Sequence, residues 1–459
     1  MKSNLSIKSY GASVRHSFVF GLTLALVSLT GRLHAQSGVQ EFVPFSSFLE
    51  STKNASAGDH MTRAASRIKD AAAFKEMRQH ILNLYEGVQV DHSFVLGASH
   101  FDCVPLAQQP TARAFGIKDI PAPPPQSLLT PHSAAKPAAE RARSDQFGNH
   151  VGCEEQTIPM RRVTLEEIAH FPTLHDFLAK GPDSTGQAKT QRASGRAQLA
   201  TAPADDPTFN HRYAIMTQTV DNAGGTSTLN IWSPDVNQDL GEEMSLSQEW
   251  YVGGSDDSTQ TAEVGWQVQP SAWGTQDPVL FIYWTANHYD QTDYPGSQGG
   301  GCYNLTCAGF YQVSNQGILG APLTSSIPGD AQYEFSAAYY LYNGDWWLAI
   351  NGNWIGFIPG SVYHGGQMAT NAQVIQFGTE TYATGGVWPA AGSGQFPDQG
   401  WSYAAYQSNL SYFSTDGQAI PDTLTPYQPA ASCYTTSDPM TDDSGAVFFY
   451  VGGPGGSGC

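Results

Sequence analysis

The second half of the chain alternates short apolar runs with turn residues, and this pattern predicts many short β-strands. Its clearest part is 339–358, where two Asn-Gly pairs separate three runs of aromatic and β-branched residues. Asn-Gly pairs favour two-residue hairpin turns because both positions take positive φ readily, so a three-stranded antiparallel meander is expected. Further strands are predicted at 212–219, 228–232, 262–268, 279–285, 309–313, 373–377 and 446–451. Such a series without helical periodicity is typical of an all-β sandwich or barrel, and we expect an antiparallel β-sandwich.

The first half has a mixed pattern that predicts a smaller α/β region. Apolar residues near helical spacing favour a helix over 61–85, and a capping box at Thr164 predicts a short helix directly after it. Residues 186–206 are rich in Gly, Ala, Ser, Gln and Arg, which is typical of an exposed linker. The predicted boundaries are therefore 36–185 for the smaller region and 207–459 for the larger domain.

The N-terminal residues 1–35 have the features of a signal peptide. Three basic residues precede the apolar run 18–27, and the small residue Ala35 offers a cleavage site before Gln36. The apolar run is too short to span a bilayer comfortably. We therefore expect a secreted protein, extracellular or periplasmic in transit, that has no membrane partner and acts as a monomer.

Charge is distributed unevenly along the chain. The sequence has 41 acidic and 22 basic side chains, a formal net charge of −19. After residue 200 there is no lysine, and Arg212 is the single arginine. A domain with so few cations gains little positive charge when its carboxylates protonate, which favours a folded state at low pH. The same deficit argues against a nucleic-acid partner, whose phosphates require clustered Lys and Arg.

Each of the two parts of the chain has an even number of cysteines, which predicts disulfides within each part. They are Cys103 and Cys153 before the linker, and Cys302, Cys307, Cys433 and Cys459 after it. Cys302 and Cys307 are close enough in sequence to close a small loop. Cys433 and Cys459 then remain to tether the C-terminus. A structural zinc site is the alternative, but no Cys-x-x-Cys pair supports it.

Familiar nucleophile and zinc motifs are missing from the sequence, which leaves carboxyls on strands as the candidate chemistry. Neither a Gly-x-Ser-x-Gly elbow nor a His-Glu-x-x-His helix occurs. Glutamate is scarce after residue 250, and Glu263 and Glu380 both lie in strand contexts. A carboxyl among apolar groups is desolvated and can act as acid as well as base. Two such groups across a cleft could activate a water, while an exposed position on a strand is the alternative for each.

Ordered motifs in both parts of the chain carry a resemblance to one family. They lie at 263–270, 283–286, 301–310, 346–348 and 377–380 and, upstream, at 102–104, 109–110 and 152–162. The first group resembles the catalytic domain of the neprosin family of glutamic peptidases, and the upstream group is similar to the neprosin propeptide. The resemblance implies that Glu263 and Glu380 are the catalytic pair, although Thr379 stands where the family commonly has glycine.

The resemblance implies a zymogen whose larger domain is an acid-acting endopeptidase with a preference for cleaving after proline. The expected partners are proline-containing peptides as substrate and the chain's own propeptide as inhibitor, and no metal or cofactor is expected. Trp266, Trp284 and Tyr303 are candidate walls for the proline ring. Self-processing near the linker is expected at Pro203 or Pro207.

Two other functions are compatible with the same residues. A β-sandwich glycosidase also uses two carboxyls with aromatic platforms, and a carbohydrate-binding or cell-wall-binding module needs only exposed aromatic side chains. The propeptide-like region favours the peptidase, because autodigestion gives a reason for latency. Assays with a proline-containing peptide and with a panel of polysaccharides distinguish the three functions.

Overall fold

Two large antiparallel β-sheets pack face to face in the second half of the chain. The structure, a computed structural model, describes residues 39, 41–129, 143–180, 210–255, 258–289 and 300–459. Predicted features that lie outside these described residues are the signal peptide 1–35, the linker 186–206, and Pro203 and Pro207. The described residues belong to one compact unit, in which the N-terminal part packs against the sheets.

The described residues between 41 and 180 form a mixed α/β region, as the sequence predicts. The helices are α1 (Phe45–Asn54), α2 (Ala57–Met61), α3 (Ala71–Leu84), α4 (Pro110–Phe115), α5 (Leu165–Ile168) and α6 (Leu174–Leu178). The strands β1 (Ser93–Leu96), β2 (Ser99–Pro105) and β3 (Thr157–Arg161) form one antiparallel sheet in that order. Helix α3 buries Phe74, Met77 and Ile81, which recur at helical spacing, in the core.

The prediction of a helix over 61–85 is wrong for the first third of this range. Helix α3 begins only at Ala71, because the carboxylate of Asp70 accepts two hydrogen bonds from the first backbone N–H groups of the helix. The capped helix after Thr164 is confirmed. The Thr164 hydroxyl accepts a hydrogen bond from the Glu167 N–H, and the Glu167 carboxylate accepts one from the Thr164 N–H.

Strands dominate the described residues after 209. They are β4 (His211–Asn222), β5 (Gly224–Asn230), β6 (Glu242–Gly253), β7 (Gln260–Val268), β8 (Val279–Thr285), β9 (Gly301–Tyr303), β10 (Tyr311–Gln312), β11 (Glu334–Tyr342), β12 (Asp345–Ile350), β13 (Asn353–Pro359), β14 (Ala372–Ala383), β15 (Val387–Trp388), β16 (Ala405–Phe413), β17 (Ala419–Pro421), β18 (Thr425–Tyr427), β19 (Thr435–Thr436), β20 (Met440–Thr441), β21 (Val447–Gly452) and β22 (Gly456–Ser457). A short helix α7 (Pro270–Trp273) follows β7. Within the described ranges, no helix is both long and apolar enough to cross a membrane.

The strands form two main sheets and a small one. The seven-stranded sheet has the order β18-β4-β14-β6-β7-β8-β9, and all its pairs are antiparallel. The ten-stranded sheet has the order β10-β13-β12-β11-β5-β16-β21-β19, with β17 beside β16 and β20 beside β21. Strands β15 and β22 pair separately. The predicted antiparallel all-β sandwich, preceded by a smaller α/β region, is thus confirmed.

The meander predicted over 339–358 is confirmed as β11, β12 and β13. In its first turn Asn343 and Gly344 have φ of 53° and 90°, and in its second turn Asn351 and Gly352 have φ of 49° and 75°. Positive φ at both central positions is the geometry that makes Asn-Gly a hairpin signal. Local sequence alone therefore determines this part of the ten-stranded sheet.

Alternation along β7 shows how the sandwich core is built. Val264 and Trp266 face the ten-stranded sheet, where Nε1 of Trp266 donates a hydrogen bond to the carbonyl of Asn230 at 2.9 Å. Glu263 and Gln267 alternate with them and therefore project from the opposite face of the seven-stranded sheet. Every residue of β7 is buried, because the N-terminal part and neighbouring loops cover that opposite face as well.

Polar side chains of the N-terminal part fix it to the sandwich. Gln109 donates to the carbonyl of Gln312 at 2.7 Å and accepts from the Gln312 N–H at 2.9 Å. Thr111 donates in the same way to the carbonyl of Phe310 at 2.6 Å. These groups are buried, and an unpaired partner in such a place would cost roughly 1–3 kcal/mol. The N-terminal part therefore docks in a defined position.

Three disulfides join the cysteines in the pairs that their spacing predicts. They are Cys103–Cys153, Cys302–Cys307 and Cys433–Cys459. The first lies within the N-terminal part and the other two within the sandwich, so no bridge crosses the linker. Because all the cysteines are paired, the alternative of a cysteine-based zinc site is wrong.

Candidate functional site

The two predicted glutamates lie on the same face of the seven-stranded sheet, the face turned away from the sandwich core. Glu263 is on β7, Glu380 is on β14, and β6 lies between these strands. Gln248 of β6 faces the same side, with Gly265 and Gly378 as its cross-strand neighbours. A Cβ on Gly265 would come within 2.5 Å of the Cβ of Gln248, so glycine lets the strands approach closely beside the glutamates.

Neutral donors hold the carboxyl of Glu263. The Thr261 hydroxyl donates to Oε1 at 2.7 Å, and the Tyr289 hydroxyl donates to the same oxygen at 2.9 Å. The Gln248 amide donates to Oε2 at 2.8 Å. Glu263 is fully buried, so these bonds replace water around its carboxyl. The group is fixed in place by the sandwich itself.

A histidine and a tyrosine hold the carboxyl of Glu380. Nδ1 of His211 lies 2.6 Å from Oε1, and the Tyr213 hydroxyl donates to that oxygen at 3.2 Å. Tyr213 is directly opposite Glu380 in the β4–β14 pair, so the sheet register brings them together. The side chain of Glu380 is buried. Its second oxygen, Oε2, points toward Glu263 and is bridged to it by a residue of the N-terminal part.

That bridging residue is Lys180, at the end of the described N-terminal part. Its Nζ lies 2.5 Å from Oε2 of Glu263 and 2.9 Å from Oε2 of Glu380. The Lys180 side chain is only 3% exposed, and its ammonium lies 5.1 Å from the centre of the Trp250 ring. One ammonium thus contacts both carboxyls, which places the two glutamates close enough to share a single small ligand.

The ion pairs set the charge of Glu380. Burial acts to raise the pKa of its carboxyl, but the charge of Lys180 and the contact with His211 outweigh burial and lower the pKa to about 2. Glu380 is therefore a carboxylate over the whole range in which most acid-acting enzymes work. A carboxylate in this position can accept a proton from a neighbouring water.

The chain reaches the glutamates through a buried segment at the C-terminal end of α6. Thr173 begins this helix with a capping box completed by Asp176. Residues 177–180 are buried, and the Tyr283 hydroxyl donates to the carbonyl of Leu178 at 3.3 Å. The segment therefore occupies the cleft beside the glutamates with its backbone hydrogen-bonded to the sandwich.

Of the three predicted aromatic walls, only Tyr303 lies on the side of the glutamates. Tyr303 pairs with Tyr283 of β8, its ring centre lies 4.8 Å from that of Tyr283, and its hydroxyl accepts a hydrogen bond from Gln267 at 3.0 Å. The prediction is wrong for Trp266 and Trp284. Both are completely buried on the opposite face of their strands, because each is an odd number of positions from a residue that faces the glutamates.

Several residues of this site were not predicted from the sequence. They are Lys180, His211, Tyr213, Gln248, Trp250, Thr261, Tyr283 and Tyr289. The strand alternation that includes Glu263 places Thr261 on the same face, and this signal could have identified it. Lys180 and His211 carry no local motif, because they reach the site from 83 residues before Glu263 and 169 residues before Glu380.

The described residues contain no group of three or more His, Cys, Asp or Glu side chains arranged to hold a metal ion. The glutamate pair is instead surrounded by hydroxyl, amide, imidazole and ammonium donors. Donors of this kind position a carboxyl and control its proton, which is the requirement of general acid–base chemistry.

The fold and the site together define a class of protein: an antiparallel β-sandwich with two buried, hydrogen-bonded glutamates on one outer face. The comparison with family models narrows this class. The model described as Neprosin matches residues 241–454, a segment that includes both Glu263 and Glu380. Residues 241–454 are therefore similar to the neprosin family. Because this family is peptidase-related, the match supports a peptidase-like hydrolase function in general terms.

Proposed function

We propose that the protein is a secreted glutamic endopeptidase, made as a zymogen, that acts at acid pH and cleaves after proline. The observation that carries the proposal is the approach of Glu263 and Glu380 to one shared position, now occupied by the ammonium of Lys180. A water at that position would contact both carboxyls. Secretion is supported by the signal-peptide features of 1–35 and by the disulfides, since such bridges persist in oxidising compartments.

The environments of the two glutamates support different roles for them. Glu380 is next to His211, and an imidazole is normally cationic at acid pH, so Glu380 is the ionised general base. Without Lys180, the groups that contact Glu263 are the neutral donors Thr261, Gln248 and Tyr289. We assign Glu263, which lies among these neutral donors, as the partner that donates a hydrogen bond to the scissile carbonyl.

The proposed reaction balances its protons between these two groups. Glu380 takes a proton from the water as the water oxygen attacks the scissile carbonyl carbon. Protonated Glu263 donates a hydrogen bond to the carbonyl oxygen and so stabilises its developing negative charge. The tetrahedral intermediate then collapses, the C–N bond breaks, and Glu380 gives its proton to the leaving amine. One positioned acid or base of this kind contributes about 10²–10⁴-fold to the rate.

Latency is supported by the position of Lys180. Its ammonium occupies the place of the water, and its attached segment 177–180 fills the cleft where a substrate peptide would lie. We propose that residues 36–185 are the propeptide, that 186–206 is the linker cut on activation, and that 207–459 is the catalytic domain. Cleavage after proline, with Pro203 or Pro207 as self-processing sites, is supported by the family resemblance. The aromatic side chains of Tyr283 and Tyr303 are candidate contacts for the proline ring.

The test uses the full-length protein, cut in the linker with trypsin and assayed at acid pH on a proline-containing peptide and on a panel of polysaccharides. Glu263→Gln and Glu380→Gln should each reduce peptide hydrolysis by at least about 10²-fold with an unchanged Tm. Glu334→Gln is the matched control, because Glu334 is a strand glutamate of the other sheet, bonded to Tyr406. Hydrolysis of a polysaccharide alone would indicate a glycosidase, and neither activity would indicate a binding module. An optimum above neutral pH, or inhibition by chelators, would also contradict the proposal.

A further inference from the structure

The ammonium of Lys180 lies in a pocket made by three strands of the seven-stranded sheet. Its contacts are Oε2 of Glu263 on β7, Oε2 of Glu380 on β14 and the ring face of Trp250 on β6. Two carboxylates satisfy the charge and N–H groups of a primary ammonium, and an indole face attracts the same charge through its π-electrons. The three groups together are suited to one type of ligand, a primary ammonium group.

The sandwich holds this pocket without help from Lys180. Thr261 and Tyr289 fix Oε1 of Glu263, and His211 fixes Oε1 of Glu380, so the Oε2 atoms keep their directions when Lys180 leaves. Trp250 is fully buried in its strand and cannot turn away without breaking the packing around it. Two buried carboxyls that face each other repel when both are ionised, and a bound cation removes this repulsion.

We propose that the glutamate pair with Trp250 is a binding site for primary ammonium groups in general, so that small alkylamines and lysine side chains of other peptides bind there when Lys180 is absent. Binding does not require that the pair be catalytic. Inhibition of hydrolysis by such amines would rest on the proposed function, because the ammonium takes the position of the water. Lysine-containing peptides and free amines then form the class of inhibitors of this site.

The shape of the lysine side chain indicates which amine should fit best. Replacing Lys180 with alanine keeps Cβ and removes three carbons and the nitrogen. The space that these atoms leave has the volume of n-propylammonium. A quaternary ammonium has no N–H group to donate to the carboxylates and is wider than a primary one. An alcohol of the same length fills the cavity but lacks the charge. These two compounds therefore separate binding by charge and hydrogen bonds from simple filling of a cavity.

The experiment measures thermal unfolding of full-length Lys180→Ala near neutral pH with n-propylammonium chloride. A saturable rise in Tm, by about 2–4 °C at high occupancy, is expected for Lys180→Ala but not for the natural chain, whose pocket is filled. Tetramethylammonium chloride and 1-propanol at equal concentrations should give no saturable rise. An equal response of both chains, or equal responses to all three compounds, would overturn the proposal.

A matched variant tests whether the carboxyls are the ligands. Lys180→Ala combined with Glu263→Gln and Glu380→Gln keeps the shape of the pocket but removes its charge, and its Tm should not respond to n-propylammonium. A response that persists in this variant would place the amine elsewhere and overturn the proposal.

If Lys180→Ala yields little folded protein, the folded yield on refolding with n-propylammonium or 1-propanol replaces Tm. Equal yields with the two compounds would also overturn it. Because neither measurement uses catalysis, they remain valid if the proposed peptidase function fails.

Discussion

Nδ1 of His211 lies 2.6 Å from Oε1 of Glu380, the carboxyl oxygen that Lys180 does not contact. Lys180 precedes the predicted linker and His211 follows it, so a cut in the linker would remove the covalent connection between Lys180 and the sandwich but would leave His211 attached to it. An imidazolium beside a carboxyl favours its ionised form. In the proposed mechanism, His211 is therefore the positioning residue that would keep Glu380 ionised once the N-terminal part has left.

Replacing His211 with glutamine should move the acid side of the pH profile. The amide still donates a hydrogen bond to Glu380 but cannot carry charge, so the pKa of Glu380 rises in the activated protein. We expect the acidic limb of kcat/KM to shift to higher pH by about one unit, because a nearby opposite charge changes a carboxyl pKa by roughly 1–3 units. The pH dependence of peptide hydrolysis measures this shift.

Tyr213→Phe is the control for this prediction. It removes the second donor to Oε1 of Glu380, a neutral hydroxyl at 3.2 Å, and leaves the charge of His211 intact. Its acidic limb should move less than that of His211→Gln. An unchanged acidic limb in a folded His211→Gln protein would mean that another group determines the ionisation of Glu380.

Acidification alone should not activate the uncut chain. Burial acts to raise the pKa of Glu380, but Lys180 and His211 lower it to about 2. A lowered pKa means that the contact with Lys180 contributes its full stability above the ordinary carboxyl pKa of about 4.3 and loses it only as the pH falls toward 2. We expect uncut protein at about pH 4 to hydrolyse little peptide, and activity to appear only when the linker is cut. Full activity at that pH in protein of intact mass would contradict this.

Trypsin should cut the linker and spare the sandwich. The linker contains Lys189, Arg192 and Arg196, whereas Arg212 is the single lysine or arginine in the chain after 206. Arg212 is 7% exposed and its Nε donates to the carbonyl of Cys459 at 2.8 Å, so a protease cannot reach it in the folded state. Limited digestion followed by mass measurement should give one resistant fragment that begins after Arg196. A second fragment that begins at Tyr213 would show that this region unfolds locally.

Local signals made much of the fold predictable from the sequence. The meander follows from its two Asn-Gly turns, and β8 was predicted with its observed bounds because its run of apolar residues is buried on both faces. Strands β6 and β16 were not predicted. Strand β6 contains three glutamates and a glutamine, and such a composition suggests exposure, yet all its residues are buried. Several of its carboxyl and amide groups have partners from distant segments, such as Arg67 for Glu243 and Ser227 for Glu249, which no local pattern reveals.

The residues of the candidate site also divide into those that the sequence predicts and those that it does not. Glu263 and Glu380 could be proposed because glutamate is scarce after residue 250 and because the family resemblance implies that they are the catalytic pair, but the residues that contact them come from distant segments. His211 meets Glu380 only through the register of β4 and β14, and Lys180 arrives with the N-terminal part. Strand alternation alone places Trp266 away from the glutamates, since a residue three positions from Glu263 on a strand faces the other side.

A second pair of carboxyls lies beneath the candidate site, in the core between the sheets. Glu249 follows Gln248 on β6 and therefore faces the core, where the Ser227 hydroxyl donates to its Oε2 at 2.5 Å. Asp422 lies close enough to interact with its charge. Among the described residues, Oε1 of Glu249 and both carboxyl oxygens of Asp422 have no hydrogen-bond partner. Burial raises the pKa of Glu249 to about 8 and the pKa of Asp422 well above its usual range.

Glu249→Gln should make the sandwich less sensitive to alkaline pH. A pKa raised in the folded state means that stability is complete below the ordinary carboxyl range and is lost as the pH rises through about 8, where Glu249 must ionise without a cation or unfold. The loss is on the order of 5 kcal/mol for this group. We expect the Tm of the natural chain to fall between about pH 5 and pH 9. The Tm of Glu249→Gln should fall less over the same range, because the amide cannot ionise.

Asp422→Asn should also reduce the fall in Tm. Glu154→Gln, at an exposed position, is the control, and its Tm should fall as much as that of the natural chain. Parallel Tm curves for Glu249→Gln and the natural chain would show that this buried pair does not limit stability at high pH.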